Sequence, residues 1–243
     1  MTAPVLIFGG SGGVGMALAR TLTSRSTPVH LAARRADRLA AVAGAFNGVS
    51  YTACDVMDFA SIGATVAAAA PQGALSGLVY AVGSIVLKPL KKVTADDMVE
   101  TFRLNAVGAL IAVQEAASAL KAGNGSVVLF STVAASCGFP NHVVIAAAKG
   151  AVEALTRSLA ADLAPHVRVN AVAPSLLKTP LAEALTSNET MAKSIAALHP
   201  LPRLGEAEDA AEAAAFLLSP QASWITGQVI AVDGGRSTVR SRG

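Results

Sequence analysis

Val5-Leu6-Ile7-Phe8-Gly9-Gly10-Ser11-Gly12-Gly13-Val14-Gly15-Met16-Ala17-Leu18-Ala19-Arg20 decides the fold. Its first four residues are all apolar, as in a strand covered on both faces by helices. The glycines then permit a tight turn, and Met16 to Arg20 are helix formers. A helix beginning at such a turn presents free N–H groups and a positive dipole end to any anion lying there. Strand, glycine-rich turn and helix in this order suit a dinucleotide pyrophosphate. Gly9, Ser11, Gly12, Gly13, Val14 and Gly15 are the candidate contacts. Two glycine registers fit, one through Gly10, Gly12 and Gly15 and the other through Gly9, Gly13 and Gly15, and a purely structural turn is the third option.

Outward from this unit, short β-rich runs alternate with Ala-rich helical stretches. The runs are Val5 to Phe8, Val29 to Ala32, Val49 to Ala53, Gly77 to Ala81, Val127 to Phe130, Arg168 to Ala173 and Gln228 to Val232. Seven strands separated by helices predict an α/β fold with a doubly wound, parallel sheet of the Rossmann type. Val152, Leu155, Leu159 and Leu163 recur at helical spacing between Ala146 and Leu163, predicting an amphipathic helix. No repeat or composition break marks a second domain, so residues 1–243 read as one dinucleotide-binding domain. Pro174, Pro180, Pro200 and Pro202 surround an irregular stretch, and residues 176–204 read as a segment that closes over substrate.

Apolar residues make up 53% of the chain and charged residues 14%, which excludes a disordered protein and suggests much surface buried between helices and sheet, with burial between subunits a further option. The formal charge of +3 equals the contribution of Arg236, Arg240 and Arg242, so residues 236–243 read as a solvated basic tail on a nearly neutral body. No basic stripe with interleaved aromatics is present, so nucleic acid is not an expected partner. Cys54 and Cys137 are too few for a disulfide framework, and the four histidines are scattered without an i, i+4 pair, so no metal is expected. The apolar helices are interrupted by groups such as Gln114 and Glu115, so no membrane span is expected and a cytoplasmic protein is the simplest expectation.

After the second strand run the chain reads Leu31-Ala32-Ala33-Arg34-Arg35, with no acid to accept from a ribose 2′-hydroxyl. Two arginines suit a 2′-phosphate instead, which favours NADP(H) over NAD(H). Both arginines being merely solvated is the alternative.

With these features the chain resembles the short-chain dehydrogenase/reductase family, over nearly its whole length. The second glycine register matches the family's Thr-Gly-x-x-x-Gly-x-Gly turn, with Phe8 in place of Thr. Cys54-Asp55-Val56 is similar to the adenine-contacting segment, and Tyr80-Ala81-Val82-Gly83 stands where Asn-Asn-Ala-Gly is usual. Asn105 matches the helix Asn that holds a water beside a catalytic Lys, although a helix kink would also account for it. Asn170 to Ser175, followed by Thr179-Pro180, resembles the nicotinamide-side loop. The resemblance therefore implies cofactor contacts at Asp55, Val56, Ala81, Val82, Gly83, Lys149, Pro174 and Thr179. It also implies dimers or tetramers, paired through helices near residues 106–120 and 146–163.

The family's catalytic pattern breaks at one place. Members carry Ser and then Tyr-x-x-x-Lys; here Lys149 is present, the Ser position holds Thr132 next to Ser131, and the Tyr position holds Ile145. Loss of a general acid typically removes about a hundredfold to ten-thousandfold of rate. Enoyl reductases of the superfamily place their Tyr seven residues before the Lys, and that position is His142. An imidazole, with an unperturbed pKa of about 6.5, can donate to a carbonyl or enolate oxygen; a surface His is the plainer alternative. Tyr80 and His199 are further residues able to approach the site. The candidate catalytic set is thus Asn105, Thr132, His142 and Lys149. It points to an NADP(H)-dependent oxidoreductase acting on a carbonyl or an activated C=C. The competing expectation is a dinucleotide-binding sensor or an inactive partner subunit.

Overall fold

A computed structural model describes residues 3–240. Seven strands form one parallel sheet: β1 (Val5–Phe8), β2 (Val29–Ala33), β3 (Val49–Ala53), β4 (Gly77–Tyr80), β5 (Ser126–Phe130), β6 (Arg168–Pro174) and β9 (Val229–Val232). Their order is β3-β2-β1-β4-β5-β6-β9. All seven expected runs are strands, each within a residue or two of its expected ends. A further short pair, β7 (Leu177–Lys178) with β8 (Gly205–Glu206), lies outside this sheet.

The alternation of strand side chains divides the core in two. Leu6, Phe8, Leu78, Tyr80, Val127 and Leu129 face one side, where α3 (Phe59–Ala69), α5 (Gly108–Ala122) and α6 (Val143–Leu163) cover them. Val5, Ile7, Leu31, Val79, Val128 and Val172 face the other, against α1 (Gly13–Ser24), α2 (Ala36–Gly44) and α9 (Ala207–Leu218). The many alanines of α5 and α9 let these helices lie close on the sheet. The remaining helices are α4 (Ala95–Phe102), α7 (Glu183–Thr186) and α8 (Glu189–Ala196).

Two expectations change. Helix α6 begins at Val143 rather than near Ala146, with His142 at the N-cap position but making no side-chain cap, so the helix start reaches back to the candidate acid. Residues 176–204 are not irregular throughout: β7 and β8 pair in parallel at the two ends of an excursion that carries α7 and α8. A two-residue pairing carries no readable periodicity, so no pattern announced it.

Edge strand β3 is fastened to β2 partly through His30. This buried ring contacts Ser50 Oγ at 2.8 Å through Nδ1 and Thr52 Oγ1 at 2.9 Å through Nε2. Burial lowers its pKa, so between that depressed value and the unfolded one the unfolded chain binds the extra proton. Stability is therefore expected to fall as pH drops below about 6.5. In His30→Leu that part of the acid limb should flatten, since Ser50 and Thr52 can turn to water; an unchanged limb in urea titrations at stepped pH would assign it elsewhere.

Candidate active site

The C-terminal ends of β1, β4, β5 and β6 open onto one crevice, and each contributes the residues that follow it. After β1, Gly9 turns with φ of +83°, and a Cβ there would stand 2.7 Å from the Ala81 carbonyl oxygen. A Cβ on Gly15 would strike the Gly9 carbonyl oxygen, so only glycine lets α1 lie this close to β1. Gly13 faces the Thr179 side chain across the crevice, at 2.8 Å from its own missing Cβ. A Cβ on Gly10 would likewise stand 2.8 Å from the Leu31 Cβ, so glycine is required in both registers and Gly15 serves each. Helix α1 has no side-chain cap and no acidic residue in its first turn. Its leading N–H groups and positive dipole end are thus open to an anion.

Beyond β2, the two arginines differ. Arg35 donates two hydrogen bonds to Asp37, of 3.1 and 2.5 Å, and this partner draws the Asp37 carboxyl down to about 2. Arg34 is exposed and has no carboxylate within 4.0 Å among the described residues. Asp55 is exposed and accepts from the Met57 N–H, while Val56 beside it is buried.

Helix α6 supplies one wall. His142, Ile145 and Lys149 stand at i, i+3 and i+7, the spacing of a single helix face. All three line a cavity of about 380 Å³ together with Thr132, Val14 and the Ala81–Gly83 backbone. Lys149 is buried and donates one hydrogen bond to the Phe130 carbonyl at 2.8 Å. An ammonium carries three donors. Burial holds its pKa down to about 8.

Asn105 lies in a π-helical step, Arg103–Val107, between α4 and α5. Such steps recur at functional positions because they re-aim one side chain. Its amide donates to the Thr101 carbonyl and to Ser84 Oγ, while its buried Oδ1 accepts nothing among the described residues. Gly83 keeps a gap there: a Cβ would stand 3.0 Å from Asn105 Oδ1 and 3.2 Å from Lys149 Nζ. Open N–H groups on α1, spare ammonium donors on Lys149 and an orphaned acceptor on Asn105 fit the pyrophosphate, ribose hydroxyls and ordered water of a bound nicotinamide dinucleotide.

Thr132 Oγ1 accepts from the Ala134 N–H and donates weakly to the Pro174 carbonyl, at 3.3 and 3.4 Å. Ser131 is committed elsewhere, donating to Glu153 at 2.8 Å. His142 donates from Nδ1 to the Pro140 carbonyl at 2.7 Å, which leaves Nε2 for the cavity's contents. Tyr80 does not line the cavity: its buried hydroxyl is spent on the Leu104 carbonyl, in the π-helical step beside Asn105, and burial raises its pKa. His199 stands behind the cavity wall, its Nε2 accepting from Ser175 Oγ at 2.8 Å.

The tail is a second correction. Arg236 is only partly exposed and lines the same cavity, its guanidinium stacked on Phe139. Charge counting along the sequence cannot show this, because two left-handed glycines, Gly234 and Gly235, redirect the chain just before it. Arg242 lies outside the described residues. Among those residues no helix is long and apolar enough to cross a membrane, and no cluster of His, Cys, Asp and Glu is arranged to hold a metal.

Residues 9–237 match the family described as enoyl-(acyl carrier protein) reductase. A chloroplastic tropinone reductase homolog of Arabidopsis thaliana is 35% identical over 240 residues, covering 96% of this chain and 74% of its own. A short-chain type dehydrogenase/reductase from Mycobacterium ulcerans superposes with a TM-score of 0.91 at 33% identity, covering 99% of this chain and 92% of its own. The gluconate 5-dehydrogenase from Burkholderia cenocepacia J2315, solved in complex with NADP and tartrate, superposes with a TM-score of 0.90 at 26% identity, covering 99% and 97%. Sheet order, glycine turn and sequence likeness agree, and the chain belongs to the short-chain dehydrogenase/reductase family of oxidoreductases.

Proposed function

We propose that this oxidoreductase uses NADP(H) to reduce a carbonyl or an activated C=C, with His142 serving where the family's tyrosine is replaced by Ile145. The observation that carries the proposal is the shared cavity: His142, Ile145, Thr132 and Lys149 line it together with the backbone of Ala81, Val82 and Gly83. The NADP bound in the Burkholderia relative supports the choice of cofactor.

The glycine turn from Gly9 to Gly15 would hold the pyrophosphate, Arg34 the 2′-phosphate, Asp55 and Val56 the adenine side, and Pro174 and Thr179 the nicotinamide side. Bound there, the cofactor would supply a hydride to the substrate carbon. Lys149 binds ribose hydroxyls, and its charge stabilises negative charge gathering on the substrate oxygen. Thr132 donates a hydrogen bond to the same oxygen. Because the Pro140 carbonyl fixes the Nδ1 proton of His142, only the imidazolium can donate from Nε2, and it ends the step neutral. Asn105 Oδ1 retains a water beside Lys149. Residues 176–204, clamped by β7 and β8, cover the substrate. Val99 and Phe102 on α4 are apolar and exposed, which suits pairing into a dimer or tetramer.

Arg34→Ala should weaken NADPH binding about ten- to hundredfold in calorimetry while leaving NADH nearly unchanged, the scale of a charge-assisted hydrogen bond. Asp37→Asn should tighten NADPH by releasing Arg35; equal losses for both nucleotides in Arg34→Ala would remove the 2′-phosphate assignment.

His142→Phe is expected to lower turnover by about a hundredfold or more with NADPH affinity intact. Ile145→Tyr should create or raise activity on simple ketones. A wild-type protein that binds NADPH yet turns over neither ketones nor enoyl thioesters would instead be the sensor or partner subunit, for which the apolar Ile145 is the motivating residue.

Lys149 makes a prediction for the cofactor-free protein. Its folded pKa of about 8 lies below the 10.5 of a free lysine, so between these values the unfolded state binds more protons and stability rises with pH. The thermal midpoint of the wild type relative to Lys149→Met should therefore climb from pH 8 upward; a constant gap would mean that the ammonium is hydrated in place.

A further inference from the structure

The wall of the catalytic cavity is apolar almost throughout, and only two of its residues carry a permanent charge: Lys149 and Arg236. Lys149 is bonded to Phe130 and stands beside Asn105 and Gly83, in the machinery already described. Arg236 belongs to none of that machinery. It enters from the other end of the sequence, after β9.

Its position is built. Asp233 accepts from the Gly235 and Ser237 N–H groups at 2.9 and 2.7 Å, and the Arg236 N–H donates to the Asp233 carbonyl at 3.2 Å. Left-handed φ values at Gly234 and Gly235 turn the chain so that the next side chain faces inward. The guanidinium carbon stacks 4.5 Å from the centre of the Phe139 ring, and Nη1 donates to Ser175 Oγ at 3.3 Å. Ser175 is itself oriented. His199 Nδ1 donates to the Ile195 carbonyl at 2.9 Å, so Nε2 must accept the Ser175 proton and the Ser175 lone pairs face Arg236.

This scaffold fixes the cation without neutralising it. The Asp233 carboxylate is occupied by backbone, and no carboxylate lies within 4.0 Å of Arg236 among the described residues. One hydrogen bond engages a group that has five donors in a planar fork. Partial burial pulls its pKa below the ordinary arginine value, while the nearby Asp233 carboxylate acts the other way through space. A guanidinium at the edge of an apolar chamber with no carboxylate in contact has donors free to receive an anion.

We propose that Arg236 anchors a carboxylate on the substrate, so that the protein acts on an oxo acid or unsaturated acid. The fork of one arginine matches a planar carboxylate through two parallel hydrogen bonds. Leu181, Leu185 and Ile195 line the same chamber, so the part of the molecule between carboxylate and reacting group is hydrocarbon. The proposal rests on the cavity being the substrate chamber of a nicotinamide-dependent oxidoreductase. Ser175 and Phe139 are positioning residues that hold the guanidinium in place.

The test compares a panel of medium-chain oxo carboxylates with their methyl esters by calorimetry, on the NADPH-loaded and on the cofactor-free protein. At least one acid should bind about ten- to hundredfold more tightly than its ester. Arg236→Met should erase that preference without changing NADPH affinity, and Arg236→Lys should restore part of it. If no acid outbinds its ester, or if the preference survives in Arg236→Met, the anchor is overturned. Failure of NADPH to bind would strike the nicotinamide assignment instead, while the acid and ester comparison on the cofactor-free protein would still decide for or against Arg236. A thermal midpoint for each variant separates lost binding from lost fold.

Discussion

One topological constraint governs the molecule: the sheet starts at β1 and grows outward in both directions, through β2 and β3 on one side and through β4 onward on the other. The chains leaving β1 and β4 must therefore part, and a crevice opens between them at the C-terminal ends of the strands. Because all strands are parallel, the loops after β5 and β6 reach the same edge. Gly9 to Gly15, Ala81 to Gly83, Ser131 to Thr132 and Pro174 to Ser175 meet there although they are spread over most of the chain. Gly9 and Gly15 are what permit the crevice to be narrow, since any side chain at either would push α1 away from β1 or β4.

Inside the crevice the costly element is Lys149. A buried ammonium with a single carbonyl partner is destabilising in the cofactor-free protein, and its depressed pKa expresses that cost. The surroundings keep the cost from being relieved by ordinary packing: Gly83 leaves a gap beside it, and Asn105, swung inward by the π-helical step, leaves an acceptor unanswered. On the proposed function, stability is given up locally where ligand oxygens would be received, a common feature of functional sites.

Much of this was legible in the chain. Runs such as Val5 to Phe8 and Val127 to Phe130 are apolar at every position because helices cover both faces, and that pattern survives in sequence form. The glycine turn was legible as a unit, but not the neighbours that require it, since Gly9 meets the Ala81 carbonyl and Gly10 the Leu31 side chain from other strands. Arg34 and Arg35 look equivalent as letters; Asp37, two residues on, separates them. Tyr80 looked near the site because it ends β4's apolar run, yet its hydroxyl is buried and spent on the Leu104 carbonyl, a partner that only the fold brings to it. Arg236 was hidden most completely, because its place depends on the fold bringing the chain's end to Ser175 and Phe139.

Ile145 is the point at which magnitudes decide. Losing a tyrosine acid removes about a hundredfold to ten-thousandfold of rate, or roughly 3 to 5 kcal/mol of barrier. An ammonium about 4 Å from a developing oxyanion contributes about 4 kcal/mol at an effective dielectric near 20. In a family site with tyrosine, much of that field is used to lower the phenol's pKa. With a buried, apolar Ile145 standing one turn before Lys149, the field is left for the substrate oxygen itself. On the proposed function the two quantities are of the same size, so the cavity loses its acid yet retains electrostatic stabilisation of comparable worth. Proton delivery by His142 can then follow charge development instead of driving it.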